Sequence, residues 1–106
     1  MVHSFFTHLL KTFTMDHKLK FVCDYFQLTR DEVFNKRRTR HYTDARSVLY
    51  AIMYEGNLYG LRKVLKDKYN FDIHIHSIRN GMAQAERYYP KVIAEYKAEE
   101  ARRNRK

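Results

Sequence analysis

The sequence predicts an all-α protein, a small helical domain of about six helices containing a helix-turn-helix. Three observations lead there. Apolar residues recur at helical spacing along nearly the whole chain. No stretch alternates as a half-buried strand would. One proline and three glycines leave few breaks between periodic segments. The 106 residues, 44% of them hydrophobic, suffice for one core and are too few for two. The chain therefore reads as a single domain over 1–106: an amphipathic helix in 1–14, a helix-turn-helix core in 15–89, and a C-terminal helix with a basic tail in 90–106.

Each element has its own justification. Phe5, Phe6, Leu9, Leu10 and Phe13 fall on one helical face. Asp16 is placed to cap a second helix whose inner face is Leu19, Val22, Cys23 and Phe26, with Cys23 a small core residue rather than a nucleophile. Thr29-Arg30-Asp31-Glu32 has capping-box spacing and should open a short helix containing Val33 and Phe34. A basic loop follows, and Thr43 is expected to cap the helix marked by Ala45, Val48, Leu49, Ile52 and Met53, ending near Gly56-Asn57. Leu58, Leu61, Val64, Leu65 and Tyr69 mark a helix over 58–69. After a short polar break, with Asp72 as cap candidate, a helix over 74–88 turns Ile75, Ile78, Met82, Ala85 and Tyr89 inward. Gly81 would let a neighbouring helix approach closely. Pro90 suits the first turn of a last helix bearing Val92, Ile93 and Tyr96, with fraying or a basic tail expected beyond Ala98.

The charge narrows the function. A formal net charge of +9 points to an anionic partner, with nucleic acid first and an anionic membrane surface second. Lys36, Arg37, Arg38 and Arg40 crowd four cations into five positions, a repulsion most readily tolerated where a polyanion neutralises it. Helices 58–69 and 74–88, joined by a break of about four residues, form the helix-turn-helix candidate. Its second helix leaves His76, Ser77, Arg79, Asn80, Ala83 and Arg87 outward. Arg79 and Asn80 suit guanine and adenine edges.

These segments resemble the C-terminal DNA-binding domain of the bacterial replication initiator DnaA, a relative of the trp-repressor fold, over about Lys20 to Arg87. Val22 to Thr29 is similar to the family's opening helix and polar turn. Asp31 to Arg40 is similar to its acidic-apolar short helix and basic loop, and Ala45 to Ile52 to the helix after that loop. The resemblance implies that the loop reaches phosphates and the minor groove, with Arg38 or Arg40 as the inserted side chain. It further implies that the start of 74–88 enters the major groove. The family's recognition signature is Arg-Asp-His-Ser/Thr-Thr-Val. Here the chain reads Phe71-Asp72-Ile73-His74-Ile75-His76-Ser77-Ile78, so His74 and His76-Ser77 compete for the motif's histidine. The family's nucleotide-binding loop has no counterpart. The resemblance thus implies a DNA-reading module without the ATP motor, an accessory or regulatory factor of replication or transcription such as a phage or mobile element carries.

The expected DNA-binding residues are Lys36, Arg37, Arg38, Arg40, His74, His76, Ser77, Arg79 and Asn80, with double-stranded DNA as partner. No catalytic arrangement stands above chance spacing, so an enzyme, a cofactor and a small-molecule substrate are not expected. Asp72-x-His74-x-His76 lacks further nearby ligands, so no metal is expected either. A lone Cys23 fits a reducing compartment. The start lacks a basic signal region, and no apolar run approaches the ~20 residues of a membrane span. A cytoplasmic protein of a bacterial or phage-infected cell is the expectation, without a membrane partner. The second reading is a protein-interaction or structural module of the same fold, with only nonspecific nucleic-acid affinity and the 1–14 helix as its docking or self-association surface.

Overall fold

The computed structural model describes residues 15–37 and 39–104. They form six helices and no strand, an all-α arrangement: α1 over 15–26, α2 (Arg30–Val33), α3 (Arg40–Met53), α4 (Leu58–Tyr69), α5 (Ile75–Tyr88) and α6 (Pro90–Asn104). The expected helix in 1–14, Arg38, and the tail residues Arg105 and Lys106 lie outside the described residues.

Helix α3 is the axis of the fold. It packs most extensively against α5 and also meets α2 and α6. Its expected stripe of Ala45, Val48, Leu49, Ile52 and Met53 is buried, and Arg46, Ser47 and Tyr50 are buried with it. A helix enclosed on nearly all sides must carry polar groups into the interior or be apolar all round. Val22 and Phe26 of α1, Val33 of α2, Leu65 of α4, Ile78 and Ala85 of α5 and Tyr96 of α6 complete one continuous core.

Local chemistry sets the helix ends. The Thr29 capping box forms as expected: its Oγ1 accepts from Glu32 N at 3.2 Å, and Glu32 Oε1 accepts from Thr29 N at 2.9 Å. That backbone hydrogen bond holds the Glu32 carboxyl below the usual range. Helix α4 matches its expected bounds and stops at Asn70, whose φ of 52° is left-handed, while Phe71 N–H closes back on Leu65 C=O at 3.0 Å. Pro90 opens α6.

Four expectations need correction. Asp16 does not cap α1, because Met15 is already helical. Its carboxylate instead accepts the Tyr69 hydroxyl proton at 3.0 Å and lies 3.3 Å from Lys68 Nζ, tying α1 to α4. Thr43 does not cap α3. The helix begins four residues earlier, behind Thr39, and the Thr43 hydroxyl donates to Thr39 C=O at 2.6 Å. That extra turn is held by tertiary bonds: His41 Nε2–H to Phe26 C=O at 2.7 Å and the Tyr42 hydroxyl to Glu32 Oε2 at 3.2 Å. Asp72 does not cap α5. His74 does, its Nδ1 accepting from His76 N at 3.2 Å, while Asp72 faces Arg62 Nη2 at 3.9 Å. Helix α6 does not fray at Ala98 but runs to Asn104. Strong helix formers and an i,i+4 pair of Glu99 with Arg103 at 3.3 Å support the continuation.

Candidate nucleic-acid interface

The basic loop is built from beneath by Arg46. This side chain is only 6% exposed. Its Nη1 donates to Val33 C=O at 3.1 Å and to Asn35 C=O, and its Nη2 donates to Arg37 C=O at 3.1 Å. The last carbonyl of α2 and two loop carbonyls are thus gathered onto one guanidinium, and the side chains of Lys36 and Arg37 are left exposed. A planar fork with five donors suits this task, which a lysine could not reproduce. Among the described residues Arg46 has no carboxylate partner, so the loop's fixing point adds to the positive charge that it displays. Burial lowers the Arg46 pKa from that of a free guanidinium, while Tyr50 acts in the opposite direction.

Across from the loop stands α5. Gly81 brings its backbone against α3: a β-carbon there would lie 2.8 Å from Tyr50 Cδ2 and 3.3 Å from Ser47 Oγ. The close approach that the sequence suggested for this glycine is therefore real. Between the loop, α3, the α4–α5 connection and α5 runs a groove of about 370 Å³. Lys36 lines it from the loop side and Ser77 and Asn80 from α5, with the buried Arg46 and Tyr50 on its α3 side. No Asp or Glu is among its lining residues. A second recess, of about 350 Å³, shares Thr43 and Gln84 with the first and extends it toward Arg40 and Tyr88.

The expected site residues divide accordingly. Lys36, Ser77 and Asn80 meet on the groove. The Lys36 ammonium also lies 5.8 Å from the Phe71 ring centroid, which links the loop to the α4–α5 connection. Arg37 is exposed beside them. Arg40 belongs to the first turn of α3 rather than to the loop. Its side chain is 87% exposed and only 3.9 Å from Asp44 at its nearest, a weak attachment. His74 and His76 stack with ring centroids 4.9 Å apart at the start of α5. Because His74 Nδ1 accepts a backbone hydrogen bond, its neutral ring carries the proton on Nε2, facing outward chemistry with a donor. Arg79 is exposed on α5 but does not line the groove. Arg38 lies outside the described residues. No cluster of three or more metal-ligating side chains is found among the described residues.

Sequence reasoning missed Arg46, Tyr50, Thr43 and Gln84 as parts of this face. A signal existed for the first two: Arg46, Tyr50 and Met53 repeat at i, i+4, i+7 beside the apolar stripe, placing a cation where burial was due.

Among the described residues no helix is long and apolar enough to cross a membrane. No protein-family model, curated protein or solved structure matches the chain.

Proposed function

We propose that this protein is a double-stranded DNA-binding module of the initiator C-terminal-domain type. The loop cations Lys36, Arg37 and Arg38, with Arg40 beside them, grip the backbone and minor groove. The outward face of α5 (His76, Ser77, Arg79 and Asn80) enters the major groove. The observation that carries this reading is convergence: residues far apart in sequence, Lys36 on one side and Ser77 and Asn80 on the other, border one groove free of acidic lining. A helix start with exposed polar groups beside fixed cations supplies both parts of DNA recognition, since cations hold phosphates and side chains read base edges. The resemblance in the order of loop and helices supports the same assignment, and a role as an accessory factor in replication or transcription follows from it.

Fluorescence anisotropy tests the proposal, with an initiator-type box, a scrambled duplex and a random pool titrated at two salt concentrations. Binding should weaken steeply with salt, and the slope should fall by about one for each of Arg37→Ala and Arg40→Ala. A preference among duplexes that survives added salt marks a sequence reader. Absence of binding to all three at low salt would refute the proposal.

A further inference from the structure

We infer that the groove between the basic loop and α5 is a seat for a single phosphate group, carried either by a DNA backbone or by a free phosphorylated or inorganic ligand. The seat rests on the groove's own geometry. Only the backbone source depends on the DNA-binding proposal.

Tyr50 stands on the groove's α3 side. Tyr50 is 3% exposed, and its hydroxyl proton has no acceptor among the described residues. A buried hydroxyl without a partner costs free energy, so one in a pocket wall calls for a group to complete it. The charged neighbour of this hydroxyl is the Arg46 guanidinium, which has only donors. Whatever Arg46 gives Tyr50, the hydroxyl proton still lacks an acceptor. Burial raises the Tyr50 pKa, which keeps that proton in place at neutral pH. The missing partner is therefore an acceptor.

Charge says which kind. The guanidinium donates to three backbone carbonyls, and no carboxylate lines the groove to balance the cation. Lys36 adds a second cation, and Ser77 and Asn80 add hydroxyl and amide donors from α5. Donors and cations thus reach the groove from the loop, α3 and α5. Three-sided approach suits a tetrahedral oxyanion better than a planar carboxylate, and a space of about 370 Å³ also leaves room for what the phosphate is attached to.

The test is titration of the protein with inorganic phosphate at constant ionic strength, with chloride as the control, followed by amide chemical shifts. Saturable shifts at Ser77, Asn80 and Gly81 are expected with phosphate alone. Tyr50→Phe, which removes only the hydroxyl, should weaken binding about tenfold or more. Ser77→Ala and Asn80→Ala alter exposed positions and should weaken it without touching the core. Equal shifts with chloride, or unchanged affinity in all three variants, would overturn the seat.

The source is read from duplexes carrying one neutral methylphosphonate at each position in turn. One position at which Tyr50→Phe has no further effect identifies a backbone phosphate. Phosphate binding with no duplex binding would retain the seat as a free-ligand site and remove the DNA proposal. Duplex binding that is indifferent to Tyr50→Phe and to free phosphate would do the reverse.

Discussion

The two connections that face each other across the groove are held by opposite means. Residues 70–74 are anchored by an apolar side chain: Phe71 is 3% exposed, packs on Phe34 at 5.2 Å between ring centroids, and returns its N–H to α4. The described residues of the facing connection, 35–37 and 39, have no such plug. They are held by their carbonyls on Arg46, an interior cation. The first device is self-contained, since burial of a ring and closure of a helix end satisfy everything they involve. The second leaves surplus positive charge beneath a loop that already displays it. A loop organised in this way carries surplus positive charge, which on the proposed reading a bound anion would balance.

Removing the anchors should separate the two designs. Phe71→Ala should cost about 3–5 kcal/mol, the largest loss expected, because it opens a cavity where both connections meet the core. Denaturant unfolding measures it. Arg46→Met should cost less, about 2–3 kcal/mol, because methionine fills much of the space while three carbonyls lose a charged donor. Its effect should be local: hydrogen exchange should accelerate across 35–40 and remain slow in α4. Uniform acceleration throughout the core would show that Arg46 holds the whole domain rather than the loop.

Gly81→Ala should destabilise by about 1–3 kcal/mol, since the added methyl meets a buried tyrosine ring rather than a flexible side-chain end. The smallest effect at neutral pH belongs to Tyr89, whose hydroxyl donates to Asp44 Oδ2 at 2.7 Å. Burial first, and then this bond, push its pKa up to about 12 from 10.0. A raised folded-state pKa means that the stabilisation is complete below pH 10 and is lost as pH climbs toward 12. Thermal midpoints should therefore fall over that window, and Tyr89→Phe should flatten part of the decline.

What was legible in the sequence was local. The Thr29 box, the bounds of α4, Pro90 and the role of Gly81 each follow from a few neighbouring residues. The start of α3 was not, because Arg40-His41-Tyr42 carries no apolar spacing and owes its helical turn to Phe26 and Glu32, distant in sequence. The last turns of α6 have no core-facing stripe to announce them. The cap of α5 was misplaced because aspartate is the commoner cap and histidine a rare one. Of the site, the cations and the polar face of α5 were visible as composition. The spacing of Arg46 and Tyr50 marked them for burial, but not their place under the loop, since their partners meet them only when the loop and α5 fold over α3.

The most direct test of one binding face is the amide chemical-shift map of the protein with a short duplex DNA at low salt. The expected perturbations fall on 35–40 and 74–84 together, on both walls of the groove, with α1 and the last turns of α6 unmoved. Perturbations confined to those outer helices, or none at all, would contradict it.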